Sequence, residues 1–118
     1  MLMYPKKTIQ KKRRIHHPPS ILGSRSDRCY LCELKTGVIN QRNLEKHHIF
    51  GGADRTKSEA NGFVAWLCVE HHREGPFAVH RNAKVRKLLQ SICQKRYEQD
   101  HSREQWMELI GRNYIDTD

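Results

Sequence analysis

The sequence predicts a small α+β domain organised by a zinc knuckle, and three observations carry that prediction. Two short apolar runs, "LEKHHIF" at 44–50 and "FVAWL" at 63–67, have the length and composition of strands. Two later stretches, 82–97 and 102–110, carry the periodicity and the caps of helices. Four soft or borderline ligands, Cys29, Cys32, Cys68 and His71, fall in two halves with a two-residue gap in each.

The chain has 118 residues, enough for one domain with a modest core, and chains of this size are commonly helped by a metal. No apolar run is long enough to cross a bilayer. The N-terminus turns basic at once, with no apolar segment of the kind that starts a secretory signal, so a cytoplasmic location is expected. In that compartment four cysteines read as thiols or metal ligands more readily than as disulfides. Charge is unevenly placed. Residues 1–28 hold eight Lys/Arg and the single acid Asp27, a net +7, while the rest of the chain carries the other +2 of the total +9. A basic arm on a nearly neutral domain is the footprint of a polyanion partner, most often nucleic acid.

Residues 1–28 read as that arm: Pro18-Pro19 stops any helix, and "GSRSD" at 23–27 has loop composition. Within it, "SIL" at 20–22 is apolar enough to dock on the domain. "CYLC" at 29–32 opens the folded part. Residues 33–43 read as a turn or short hairpin around Gly37, and 44–50 as a short strand. Residues 51–62, "GGADRTKSEANG", read as a long polar loop closed by the turn signal Asn61-Gly62. After the strand at 63–67, a helix begins near Cys68, includes "VEHHRE" and ends at Gly75-Pro76. In 82–97, Val85, Leu88, Leu89, Ile92, Cys93 and Tyr97 recur at helical spacing and define one buried face, with Asn82 as N-cap. Cys93 lies on that stripe and reads as core. "SREQ" at 102–105 fits a capping box, Trp106, Leu109 and Ile110 form the apolar face that follows, and Gly111 stands where a terminating glycine belongs.

The ligand halves have a chemical logic. A two-residue gap lets both side chains of each half reach one ion, and at 68 and 71 the spacing puts them on one face of a helical turn. The competing reading is buried free cysteines. A second constellation is formed by His47, His48, His72 and His80. Neighbours on a strand face opposite sides, so His47 and His48 cannot serve one metal from a regular strand; one binds a metal and the other faces a substrate. His72 points away from the zinc ligands, so a second metal would sit between His47 and His72, with His80 able to close the site. For each histidine taken alone, the competing reading is a surface or core residue with a satisfied hydrogen bond. His16 and His17, in the arm, read as solvated or close to phosphates.

In order along the chain, Cys-x-x-Cys, "LEKHHI", a Gly-containing loop and "WLCVEHH" resemble the HNH endonucleases, the zinc-bearing branch of the His-Me finger nucleases. More closely, "HHIFGG", "LCVEHH", "VH" and "HSRE…GRNY" are similar to stretches of small HNH proteins from bacterial prophages. The resemblance spans roughly residues 15–115 and is most specific at 44–52, 68–72 and 101–114. It implies a ββα-metal finger over residues 29–118, with additional C-terminal helices and the arm before it. It implies that His48 is the general base and that His47, His72 and His80 hold a catalytic divalent ion such as Mg²⁺, Mn²⁺ or Ni²⁺. It further implies that Cys29, Cys32, Cys68 and His71 hold a structural Zn²⁺, His71 standing where cysteine is commoner. One departure stands out: the family often has an asparagine five residues before the "LC" cysteine, bracing the loop and orienting the base, and here that position is Phe63.

The chemistry implied is hydrolysis of a phosphodiester in DNA, duplex or single-stranded, with RNA as an alternative, leaving 5′-phosphate and 3′-hydroxyl ends. A histidine suits the base role because its pKa lies near neutrality. Arg55, Lys57 and Arg73 are candidate phosphate contacts, and Gly51-Gly52 would leave a phosphate unobstructed. The competing function is a zinc-stabilised nucleic-acid-binding module without catalysis. A third is a phage assembly adaptor that would use the 106–110 face if it were exposed.

Overall fold

The computed structural model describes residues 17–115, so the part of the basic arm at 1–16 lies outside the described residues. Four α-helices surround one two-stranded antiparallel sheet: α1 Tyr30–Thr36, β1 Leu44–His48, α2 Arg55–Asn61, β2 Val64–Cys68, α3 Ala83–Tyr97 and α4 Arg103–Leu109. The α+β class expected from the sequence is what is found. Among the described residues, no helix is long and apolar enough to cross a membrane.

In place of the turn or short hairpin expected over 33–43, residues up to Thr36 belong to α1. Cys29 caps its start, and Gly37, at φ 74°, ends it by donating its N–H to the Glu33 carbonyl. A positive φ is where glycine is needed, so the residue that reads as a hairpin turn is a helix terminator. The expected polar loop at 51–62 is likewise mostly helical. A 3₁₀ turn, Gly52–Asp54, leads into α2, which Gly62 ends at φ 74°. Only Gly52 of the Gly51-Gly52 pair uses glycine's freedom, at φ 58°; Gly51 is extended.

β1 and β2 pair in the register Leu44↔Cys68 to His48↔Val64. The segment "SIL" and its neighbours are seated along β2. Ile21 N–H donates to Gly62 O at 2.9 Å, Ser20 Oγ donates to Val64 O at 2.6 Å, and Trp66 N–H donates to Ser24 Oγ at 2.8 Å. Ile21 and Leu22 pack on the core. Gly62 lets this happen, because a Cβ there would overlap the Pro19 carbonyl oxygen.

After β2 the chain makes a π-helical turn, Glu70–Glu74, closed by the Gly75 N–H on the Glu70 carbonyl. It then folds back: Val79 N–H donates to His71 O at 2.8 Å and His80 N–H to His72 O at 3.2 Å. α3 starts at Asn82, whose side chain accepts from the Lys84 and Val85 amides, and α4 carries the full Ser102–Gln105 capping box. Their buried faces differ from the expected stripe at two places. Leu88 is 42 % exposed, and the polar Gln94 is fully buried instead. The core between the helices and the sheet is aromatic: Phe63, fully buried, lies with its ring 5.8 Å from Phe50 and 5.5 Å from Trp106. Each such burial contributes on the order of 1.5–3 kcal/mol. Trp106 and Ile110 belong to this core, so the face an adaptor would need is not available.

Candidate metal centres

The start of α1, the end of β2 and the π-turn bring Cys29, Cys32, Cys68 and His71 together. Cys32 Sγ stands 3.9 Å from Cys68 Sγ; His71 Nδ1 stands 3.6 Å from Cys29 Sγ, 3.4 Å from Cys32 Sγ and 3.5 Å from Cys68 Sγ. Coordination geometry sets what these separations should be. Ligands at about 2.3 Å for sulfur and about 2.05 Å for nitrogen, at tetrahedral angles, are about 3.8 Å apart for S–S and about 3.6 Å apart for S–N. The one S–S separation and the three S–N separations match those edges. They are too far apart for disulfides, and all the cysteines are free. The cluster could therefore hold a zinc ion. Two donors support the sulfurs from outside: Asn40 Nδ2 on Cys32 Sγ and Cys32 N–H on Cys29 Sγ, both at 3.5 Å. Burial raises the Cys68 thiol pKa and lowers that of His71, so in the metal-free chain both are held neutral.

The second cluster is His47, His72 and His80, whose donor nitrogens lie within 4.8 Å of one another. β1 points His47 inward, where it is 3 % exposed; its ring centroid is 5.3 Å from that of His72 and 5.2 Å from that of His80. Its Nε2 is a buried polar atom without a hydrogen-bond partner among the described residues. Such an atom is costly unless something binds it. Burial first, then the charges of His72, His80, His48 and Arg86, hold His47 down at about 3, which keeps it a neutral donor. His72 is oriented through its other nitrogen. Nδ1 lies 2.7 Å from Glu45 Oε1; a carboxylate can only accept, so Nδ1 carries the proton and Nε2 the lone pair. That lone pair meets His80 Nε2 at 3.1 Å. Two imidazoles on one divalent ion at about 2.0–2.1 Å stand between about 2.9 and 3.3 Å apart, so the pair fits a shared ion.

His48, next along β1, faces the other way. Its Nε2–H donates to Glu59 Oε2 at 2.7 Å, while Lys46 Nζ donates to Glu59 Oε1 at 2.8 Å. Lys46 first, and His48 after it, hold the Glu59 carboxyl below its usual range. The remaining His48 nitrogen, Nδ1, is left with its lone pair. A cleft of about 330 Å³ joins the two histidine faces and is lined by Lys46, His47, His48, Gly51, Gly52, Arg55, His72 and His80. A larger groove of about 580 Å³ continues from His48 and Arg55 past Glu59 to Pro18. A Cβ at Gly51 or Gly52 would meet nothing within 4 Å, so the cleft is open there.

The three candidate phosphate contacts part company. Arg55 lines both cavities and makes no side-chain ion pair or hydrogen bond among the described residues. Lys57 pairs with Asp54 at 3.4 Å. Arg73 grips both oxygens of Glu45 at 3.0 and 3.1 Å, and with His72 holds that carboxyl at about 2. Arg73 thus steadies the carboxylate that steadies His72.

Sequence reasoning missed Glu59, Glu45 and Ser58. Ser58 is fully buried, accepts from Phe50 N–H at 3.0 Å and donates to Phe50 O at 2.7 Å, closing the segment between the strands. Its signal, with that of Glu59, is a short helix ended by Gly62, hidden in a stretch of loop-like composition. Glu45 alternates with His47 along β1 and shares its face, a signal the strand pattern does contain. Compared with known proteins, the chain matches no family model, no curated protein and no solved structure.

Proposed function

We propose that this chain is a divalent-metal-dependent HNH-type endonuclease that hydrolyses DNA phosphodiester bonds with His48 as general base. The observation that carries the reading is the division of labour across β1: a buried, unsatisfied His47 Nε2 beside His72 and His80 on one face, and His48 held by Glu59 on the other. A passive binding module has no use for that arrangement.

His48 donates Nε2–H to Glu59, so Nδ1 is the nitrogen that takes the proton of an attacking water. The Glu59 carboxylate then stabilises the imidazolium that forms, as Lys46 keeps it ionised. Arg55, whose guanidinium has no partner among the described residues, contributes it to the phosphate, and Gly51-Gly52 leave room for it. His47, His72 and His80 would hold a divalent ion, which would supply Lewis-acid charge to a bound phosphate. Cys29, Cys32, Cys68 and His71 would hold a Zn²⁺, which would fix the π-turn that carries His72.

The missing asparagine has a structural answer in this reading. Phe63 is core, Asn61 is bonded to the Lys57 carbonyl, and two neighbours on α2 take the asparagine's two duties. Ser58 braces the loop and Glu59 orients the base.

The test is plasmid nicking by wild type and His48→Ala, with Mg²⁺, Mn²⁺ or Ni²⁺ and with none, zinc content being measured in both. Removing a general base lowers rate by about 10²–10⁴-fold. Metal-dependent nicking lost in a zinc-loaded His48→Ala supports the reading. If zinc-loaded wild type binds DNA or RNA and cuts neither with any ion, the zinc-stabilised binding module takes its place.

A further inference from the structure

On the flank of α3, away from the histidines, Arg86, Lys87, Gln90, Arg112, Asn113 and Tyr114 enclose a pocket of about 270 Å³. Three of its walls are cations and none is an acid. Lys87 and Arg112 make no ion pair with a described residue; the Arg112 guanidinium lies 5.9 Å from the Tyr114 ring centroid.

The pocket is built from buried parts. Gln94, fully buried on α3, accepts from Tyr114 N–H through Oε1 at 2.6 Å and donates through Nε2 to Asn113 Oδ1 at 3.1 Å. Trp106, equally buried, donates Nε1–H to the Arg112 carbonyl at 2.7 Å. These bonds pin the segment after α4 against α3, so Arg112 is held at the pocket wall with Lys87 rather than left on a loose end. Concentrating positive charge in a fixed concavity is self-repulsive and stabilises nothing internal; an anion offsets it. Arg86 connects this pocket to the histidine cleft. Its side chain donates to the Val79 carbonyl at 2.9 Å, and its charge reaches both His47 and His80.

We propose that this pocket is a phosphate subsite, which takes a backbone phosphate of the bound nucleic acid other than the one at the histidines. It rests on the nucleic-acid half of the function proposed above. With Arg55 lining the histidine cleft and Arg86 lining this pocket, it gives the substrate backbone a second anchor.

The test is DNA binding by the full-length, zinc-loaded chain carrying His48→Ala, which leaves a labelled duplex uncut. Affinity is measured by anisotropy from about 50 to 200 mM salt. Lys87→Gln with Arg112→Gln lowers the slope of log affinity against log salt by about 0.9 for each phosphate the pocket no longer neutralises, and weakens binding roughly tenfold per phosphate near 0.1 M salt. Lys95→Gln, which removes a charge from α3 outside the pocket, leaves the slope unchanged. A double variant no different from Lys95→Gln overturns the pocket and leaves the nuclease reading standing. Failure of the parent chain to bind DNA or RNA removes that reading and the pocket with it.

Discussion

Glu59 Oε2 accepts from His48 Nε2 at 2.7 Å while its other oxygen holds Lys46, so a single carboxylate fixes both the tautomer and the tilt of the imidazole. Replacing it with Gln keeps shape and removes charge. Glu59→Gln is expected to lower nicking about 10- to 100-fold, the usual cost of removing such a supporting partner, with DNA affinity nearly unchanged. A fall in affinity equal to the fall in rate would show that Glu59 serves binding rather than the orientation of His48.

The same carboxylate predicts a pH signature in stability. Its folded pKa lies below its ordinary 4.5, chiefly through Lys46, so its contribution is complete above the unfolded value and is lost as pH falls through the folded one. The gap in thermal midpoint between wild type and Glu59→Gln therefore closes below about pH 4.5. Both chains release zinc in acid, so the difference between them isolates Glu59. A gap that widens on acidification contradicts the ion pair.

Cysteine accessibility should split three to one. Burial pushes the Cys93 thiol far above its ordinary range, and its side chain is fully enclosed. Adding a chelator with a thiol reagent to the native chain is expected to label Cys29, Cys32 and Cys68 ahead of Cys93, which reacts only as the core unfolds. The count of labelled thiols by mass spectrometry decides it.

One zinc per chain is expected by elemental analysis, and Cys32→Ser should abolish it. Removal of a structural ion takes away folding free energy directly, so the thermal transition of Cys32→Ser falls or disappears. A variant that keeps zinc and its transition would show that Cys32 is not a ligand.

Gly62→Ala tests the seating of residues 20–24 on β2. It places a side chain at φ 74° and against the Pro19 carbonyl. The left-handed backbone alone costs about 1–2 kcal/mol, and displacement of the segment adds to it. Urea denaturation of the two chains measures the sum; a change no larger than the about 1–2 kcal/mol of the backbone alone would mean that the segment is not held there.

Much of this can be read from residues alone, for reasons that differ by element. α3 and α4 are legible because periodicity and capping agree: Asn82 and Ser102 cap where the apolar stripes begin. The metal ligands are legible because coordination restricts residue type and spacing. α1 and α2 are not. Each has seven residues, too few for a periodic signal, and each ends in a glycine that looks the same in a turn and in a helix terminus. Gln94 cannot be recognised as core, since its partners Asn113 and Tyr114 are supplied from a distant segment. Leu88 falls outside the buried face because the apolar stripe of α3 is wider than the surface the helix covers.

The π-turn sends adjacent residues to different clusters, His71 to the cysteines and His72 to the histidines. On the proposed reading this imposes a hierarchy of assembly. Stripping the cysteine-rich site frees the backbone that presents His72, so both ions are lost; stripping the histidine site leaves the other intact.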